Sequence, residues 1–335
     1  MEEKEFSKGI NRKEYLGRWG VTAVKVPMPL VVPNANVFFI DGEVPILIDA
    51  GFSSPGSMDV IREGLKETGR EIEDVGLILL THGHRDHFGM ADEIKKLSGA
   101  RVLLNGADFD ILKKGSFAGY LDRVTDFYKE LGVGDKSLKF HLEFSKYDSR
   151  AFGHETIVPD GALSEGDRFA TGAGRITVFE TPGHTEGSVS FYLEEAGILF
   201  SGDLLSALYD PPPLVMVERD GVGWMSHYEI YMRSLMKVRE INPKILAPGH
   251  GSPIKRWDDL VERVILAHEA LPERIEAFLR EHKKVKLGRL AEEIYPKAMG
   301  PMLVLSINLV RGILARMERE GRVLISEEYL VRLAD

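Results

Sequence analysis

Apolar and polar positions along the chain mark out most of its elements before any chemistry is considered. Residues 21 to 50 run VTAVKVPMPLVV, PNAN and VFFIDGEVPILIDAG, apolar stretches cut by turn signals. The Asp41-Gly42 pair between two of them marks a hairpin, so two or three antiparallel strands are expected. Ser57 to Gly69 places Met58, Ile61 and Leu65 on one face of an amphipathic helix. The apolar run Val75 to Leu80 follows as a buried strand, then a helix over Met90 to Leu97 and a further strand in ARVLLN. From Asp160 strands resume with ITVFE and SVSFYLE, and EEAG turns the chain into ILFSGD. The run DPPPL excludes a continuous helix or central strand. A helix over Ser226 to Ile241 and a strand in KILAP come after it.

Two segments depart from this pattern. Between 105 and 160, Phe117, Tyr120, Leu121, Val124, Phe127 and Leu131 recur at helical spacing, while KSLKFHLEFSKYDSRAFGHET is mixed. This is the outline of an insertion whose aromatics either form a lid over a site or pack on the body, the plainer reading. From about Asp259 the tail is helical almost to its end. VERVILAHEALPERIEAFL predicts a long helix kinked at Pro272, and KLGRLAEEIYP a short one stopped by Pro296. LVLSINLVRGILARMEREG sets Leu303, Ile307, Val310, Leu314 and Met317 on one stripe and stops at Gly321. RVLISEEYLVRLAD gives a strand, a turn and a return. Three helices and a two-stranded wing are the outline of a winged-helix module, so the expected division is a domain over 1–257 and a winged-helix-like domain over 258–335.

Composition narrows the class. With 335 residues, 44% hydrophobic and 28% charged, the chain can bury a sizeable core. A net charge of -9 disfavours non-specific attraction to nucleic acid or an anionic membrane. Residues 259–335 hold 13 Lys plus Arg against 13 Asp plus Glu, which is no electrostatic footprint, and Lys283, Lys284, Lys286 and Arg289 read as a solvated helix end. No apolar run approaches the roughly 20 residues that span a bilayer. The charged N-terminus has no apolar signal core, so a cytoplasmic protein is expected. There is no cysteine, so metal binding must come from His, Asp and Glu.

The chemistry is concentrated in Thr81 to Met90, THGHRDHFGM, which sets His82, His84, Asp86 and His87 behind the buried strand Val75 to Leu80. Such a cluster is costly to bury unless a cation sits among its donors. Residues two apart in an extended strand face the same way, so His82 and His84 are expected to share one metal. Asp86 and His87, past the turn, point to a second. Further Gly-flanked candidates stand at strand ends: His184 in TPGHTEGS, Asp203 in FSGDLL and His250 in APGHGSP. Asp49 closes VPILIDAG, where it either hydrogen-bonds a histidine ligand from behind or forms an Asx turn. His141 and His154 read as surface residues, His227 as solvated or capping, and His268 as a satisfied core histidine.

Five imidazoles and two carboxylates suit two borderline metal ions. THGHRDH resembles the HxHxDH signature of the metallo-beta-lactamase superfamily, and TPGHTEGS, FSGDLL and APGHGSP resemble its later ligand motifs in order, over Val21 to Pro253. The tail resembles the winged-helix module of beta-lactamase-like protein 2 relatives. The resemblance implies a four-layer αββα sandwich, with His82, His84 and His184 on one metal, Asp86, His87 and His250 on another, and Asp203 bridging. It implies two divalent ions, zinc first with iron or manganese as alternatives, a bridging hydroxide as nucleophile and Asp86 as the catalytic residue that orients it. The expected reaction is hydrolysis of an ester-like bond in a small-molecule ester or thioester, as in hydroxyacylglutathione hydrolases. Beta-lactam cleavage is disfavoured, because lactamases of this fold usually lack the bridging carboxylate. Phosphodiester cleavage of RNA is the alternative, followed by an iron-dependent redox enzyme of the same fold and a non-catalytic nucleic-acid-binding protein. No membrane partner is expected, and the oligomeric state is open, a dimer included.

Overall fold

The computed structural model describes residues 12–28, 34–109, 126–139, 157–208, 227–298 and 301–334. They form two compact units, one made of the described residues up to 109 with 157–208 and 233–261, the other of 126–139, 227–232 and 262 onward.

In the first unit, helix α1 (Arg12–Gly17) leads into strands β1 (Val21–Val26), β2 (Ala35–Ile40) and β3 (Ile46–Ile48). These pair antiparallel in chain order, with Asp41-Gly42 in the turn between β2 and β3 as the sequence implies. Helix α2 (Ser57–Lys66) returns the chain to β4 (Leu77–Leu79), which lies parallel to β3. The one-turn helix α3 (Arg85–Phe88) and helix α4 (Ala91–Ser98) precede β5 (Arg101–Asn105), and β5 is parallel to both β4 and β6 (Gly161–Leu163). Among the described residues these six strands make one sheet. The second sheet has the order β11-β10-β9-β8-β7, from β7 (Arg168–Thr171), β8 (Gly174–Glu180), β9 (Val189–Leu193), β10 (Ile198–Gly202) and β11 (Ile245–Pro248).

Every residue of β2 is buried, because both faces of the first sheet are covered. Phe38, Ile40, Ile48 and Leu79 face Ile176, Val178, Phe191 and Phe200 of the second sheet, and the Phe38 and Phe200 rings approach to 4.9 Å. Val37, Phe39, Leu47 and Ile78, which alternate with them, pack on Ile61 and Leu65 of α2 and Ile94 of α4. At about 1.5–3 kcal/mol for each fully buried aliphatic or aromatic side chain, these two layers are the main stabilisation of the unit. Residues 233–241 of helix α5 (His227–Ile241) are tied to the end of β8, Ser234 Oγ donating to Pro182 O and Lys237 Nζ to Glu180 O. The order is helix, sheet, sheet, helix.

This topology sets up the site. Strands β3, β4 and β5 run parallel, so their C-terminal ends share one edge. Strands β8 and β10 both pair antiparallel with β9, and β11 is parallel to β10, so these three ends also share an edge. Val189 N donates to Thr81 O and Asn36 N to Gly249 O, joining the two sheets there.

The second unit holds residues 262–269 of helix α6 (Trp257–Glu269), then α7 (Leu271–His282), β12 (Lys284–Lys286), α8 (Leu287–Ile294), α9 (Pro301–Arg319), β13 (Val323–Ile325) and β14 (Leu330–Leu333). The stripe Leu303, Ile307, Val310, Leu314 and Met317 is buried against Ile275, Leu279, Leu290, Val323 and Val331. This module is compatible with a winged-helix outline, and it differs from the sequence expectation in three ways. The expected kinked helix is two helices separated at Ala270, with Pro272 in the first turn of the second, where it needs no hydrogen-bonded N–H. The segment read as a solvated helix end contains β12, which joins the expected two-stranded wing as a third strand beside β14. Residues 126–139 also belong to this unit: Leu131, Val133 and Leu138 enter its core, and Gly288 N at the start of α8 donates to Leu131 O. His268 is buried, its ring 5.6 Å from that of Tyr228 and 6.1 Å from that of Tyr231. The helical stripe over 117–124, His141, His154 and the side chain of His227 lie outside the described residues. No helix among the described residues is long and apolar enough to cross a membrane.

Candidate metal centre

The seven residues singled out in the sequence come together at the shared edge, in two groups. His82, His84 and His184 form one, and Asp86, His87, Asp203 and His250 the other. The route differs from the alternation argument for His82 and His84. Strand β4 ends at Leu79, and 81–83 bend away from it, so the two imidazoles converge from a loop and not from one strand face. His84 then stands as N-cap of α3, which carries Asp86 and His87 on its first turn. His184 lies in the turn between β8 and β9, while Asp203 and His250 follow the last residues of β10 and β11.

In the first group His84 Nδ1 lies 3.1 Å from His82 Nε2 and 2.9 Å from His184 Nε2. Three imidazole nitrogens this close cannot all be satisfied by shared protons. The spacing is near the roughly 3.3 Å that separates neighbouring donors when nitrogen binds a tetrahedral ion at about 2.0–2.1 Å. In the second group His250 Nε2 is 3.1 Å from Asp86 Oδ2, and His87 Nε2 is 3.5 Å from Asp203 Oδ1. Asp203 joins the two: its Oδ2 lies 3.5 Å from His184 Nε2 and 3.5 Å from His250 Nε2.

The backs of the imidazoles are anchored, which fixes which nitrogen faces inward. Asp49 Oδ2 sits 2.7 Å from His87 Nδ1, and Asp49 also accepts from Thr81 N and Thr81 Oγ1. Thr81 Oγ1 is in turn 3.0 Å from His82 Nδ1. His250 Nδ1 lies 3.2 Å from Asn34 O. Each of these leaves Nε2 pointing into the centre. Gly249 must be glycine for the last loop to close, since a Cβ there would lie 2.4 Å from Asp203 Oδ1 and 2.6 Å from His87 Cε1. His82, His87, His184, Asp203 and His250 are buried, whereas His84 and Asp86 are partly open, so solvent reaches the centre from their side.

Electrostatics separate the two groups. Burial, with the neighbouring imidazoles, pushes His82 well below its ordinary pKa, and burial brings His184 down to about 3. Burial also opposes charge on His87 and His250, but the carboxylates win. Asp49, Asp203 and Asp86 hold His87 well above its ordinary value, and Asp203 and Asp86 lift His250 to about 10. Asp86 and Asp203 are correspondingly held below the usual carboxylate range despite their burial. One group is therefore a set of neutral imidazoles with lone pairs to offer, and the other a cluster of ion pairs.

The donor set fits divalent metal. His87 Nε2 and Asp203 Oδ1, both facing the centre, are buried without a hydrogen-bond partner, as atoms reserved for a bound cation would be. Two supporting residues had escaped the sequence reading. Asn36 Nδ2 donates to Pro248 O and Gly251 O, bracing the loop of His250. Asp108, after β5, accepts hydrogen bonds from the loops of His82 and of His184. Its signal was available in outline: like Asp49, it is a carboxylate just past a buried strand.

The Metallo-beta-lactamase superfamily pattern matches residues 30–250. "Probable metallo-hydrolase YqjP" of Bacillus subtilis is 25% identical over 316 residues, covering 90% of this chain and 93% of that protein. "Beta-lactamase-like protein 2 homolog" of Caenorhabditis elegans is 25% identical, covering 89% of this chain and 83% of that protein. A shorter stretch of 92 residues is 38% identical to the hydroxyacylglutathione hydrolase of Brucella anthropi, over 25% of this chain and 35% of that one. In fold, a crystal structure of a metallo-beta-lactamase family protein from Thermus thermophilus is similar with a TM-score of 0.77 at 23% identity, over 94% of this chain and 98% of that one.

Proposed function

The chain belongs to the metallo-beta-lactamase superfamily and is a metal-dependent hydrolase, and from that premise we propose that it uses two divalent ions to cleave a small-molecule thioester or ester. The carrying observation is Asp203, whose Oδ2 stands 3.5 Å from a histidine of each group. A carboxylate placed between two complete donor sets supports a bridged pair over a single ion.

His82, His84 and His184 would hold one ion, Asp86, His87 and His250 the other, and Asp203 both. An all-nitrogen and carboxylate donor set suits zinc, with iron or manganese as alternatives. Bound there, the ions would supply Lewis acidity toward the bond under attack and lower the pKa of the attacking water. Asp86, with about a fifth of its side chain exposed, is the carboxylate placed to hydrogen-bond that water and orient it. The remaining carboxylates are buried around imidazoles, so the substrate approaches past His84 and Asp86.

The thioester or ester preference rests on the bridging position of Asp203 and on the short similarity to a hydroxyacylglutathione hydrolase. RNA is the second candidate substrate, favoured by the helical module with its three-stranded sheet. The test is elemental analysis of the purified full chain, followed by a panel of thioester, ester, lactone and single-stranded RNA. Two metal equivalents, with thioester or ester cleaved fastest and turnover lost in His84→Ala, are expected. Fewer than one equivalent, with metal content unchanged in His84→Ala, refutes the metal reading. RNA as the fastest substrate overturns the substrate reading.

A further inference from the structure

Asp108 belongs to neither donor group, yet it is fully buried beside one of them. It closes the short 3-10 turn Gly106–Asp108 after β5. Its Oδ2 accepts from Gly83 N at 2.8 Å and from Thr185 Oγ1 at 2.7 Å, and its Oδ1 accepts from Gly187 N at 2.7 Å. Gly83 stands between His82 and His84, and Thr185 follows His184. One carboxylate thus clasps the two loops that bring all three histidines of the first group. The fit leaves no room for a side chain on the partner loop: a Cβ on Gly187 would lie 2.7 Å from Asp108 Cγ.

Asp49 occupies the corresponding place on the other side, against His87 and Thr81. Among the described residues the side-chain hydrogen bonds of Asp49 go to Thr81 and His87 and those of Asp108 to Gly83, Thr185 and Gly187, and Asp49 reaches the first group only through Thr81 Oγ1, 3.0 Å from His82 Nδ1. We infer that Asp108 is a positioning residue for the three-histidine group, setting its metal affinity separately from that of the Asp86, His87, Asp203 and His250 group. The inference rests on the two-ion reading above. It assigns Asp108 a task that acts on one ion through two backbone N–H groups and one hydroxyl of its ligand loops, without contact to the metal or substrate.

The experiment titrates full-length wild type, Asp108→Asn and Gly187→Ala with zinc against a chromogenic chelator, and follows folding by circular dichroism of the metal-free protein. Asp108→Asn replaces one acceptor by a donor facing donors, and Gly187→Ala displaces the carboxylate while leaving it and every ligand chemically intact. Both are expected to keep one equivalent at wild-type affinity and to bind the other about 10–100-fold more weakly, the usual consequence of losing a group that orients a ligand. Adding His250→Ala removes the remaining tight equivalent, whereas adding His84→Ala removes only the weak one. Should Asp108→Asn not fold, Thr185→Val, which deletes one of the three donors, carries the same expectation with Gly187→Ala. Two equivalents in wild type that weaken alike, or not at all, in these variants overturn the inference. Fewer than two equivalents in wild type refute the two-ion reading instead.

Discussion

Replacing Asp49 by Asn tests whether the centre depends on which nitrogen of His87 carries the proton. The substitution is isosteric, and the backbone of Asp49 sits at φ +59°, a left-handed conformation that Asn tolerates. The new amide has two orientations. With its NH2 toward His87, a donor faces Nδ1 at the 2.7 Å now spanned by a hydrogen bond to the carboxylate, so Nδ1 must accept. The ring, charged in the metal-free protein, must then give up its Nδ1 proton and keep the one on Nε2, the nitrogen facing Asp203 at 3.5 Å, so that lone pair is not offered to metal. With the amide reversed, its NH2 meets Thr81 N at 2.8 Å, and a buried donor is left unsatisfied at about 1–3 kcal/mol. The first orientation costs less, because His87, without the Asp49 charge beside it, adapts by losing its Nδ1 proton. The expected result is a stability loss of about 1.5–3 kcal/mol in the metal-free protein, the range for a hydrogen bond to a charged group. Metal affinity at the group containing His87 falls about 10–100-fold. Asp49→Ala orphans both Thr81 N and His87 Nδ1 and adds about 1–2 kcal/mol of left-handed strain, so it is destabilised further. Guanidinium unfolding of chelator-treated protein and zinc competition read the two effects separately. A folded Asp49→Asn protein that binds both equivalents as tightly as wild type refutes the tautomer argument.

Two other expectations follow from the same geometry. In the metal-free protein the charged form of His250 stabilises the fold: its contribution is complete below about pH 6.5 and lost as pH rises through about 10. His184, held down at about 3, contributes in the opposite sense, its stabilisation present above about pH 6.5 and lost as pH falls toward 3. Unfolding midpoints of chelator-treated protein between pH 4 and 10 are therefore expected to peak near pH 6.5 and decline on both sides, and a steady rise to pH 10 would contradict the assignment. Gly249→Ala forces a methyl group against Asp203 and His87, an overpacking cost of about 1–3 kcal/mol, and is expected to lower metal content although all seven donors are retained. Elemental analysis showing an unchanged metal load in a folded variant would refute it.

The legible parts of the chain were those whose signal is local. The apolar run VFFI marks a strand buried on both faces, and the stripe Leu303, Ile307, Val310, Leu314 and Met317 marks the buried face of a helix, and strand and helix stand where these signals place them. The segments that changed were decided by contacts far along the chain. Lys284–Lys286 is too short to show a strand period, and it is a strand because Arg332, Val331 and Leu330 pair with it. Leu131 and Val133 read as part of an insertion between strands, and their burial among residues of α8 and α9 depends on a chain segment more than 150 positions away.

The same distinction runs through the centre. His82, His84, Asp86 and His87 announce themselves by density, and His184, Asp203 and His250 by flanking glycines at strand ends. Asp108 carries only the weaker mark of a carboxylate just past a buried strand, because the donors that define it are Gly83, Thr185 and Gly187, which its own neighbourhood does not contain. What makes it intelligible is the sheet topology. Strands β3, β4 and β5 are parallel, so whatever follows each of them arrives at one edge, and there Asp49, the histidine loop and Asp108 stand in that order. The middle strand leads into four of the seven candidate ligands, and its two neighbours each lead into a carboxylate that holds their loop from one side. The split into a neutral three-imidazole group and an ion-paired group follows from where the carboxylates stand: Asp86 and Asp203 face His250 and, with Asp49, His87, and raise both, whereas burial keeps His82 and His184 neutral and Asp108 spends its acceptors on backbone and hydroxyl donors.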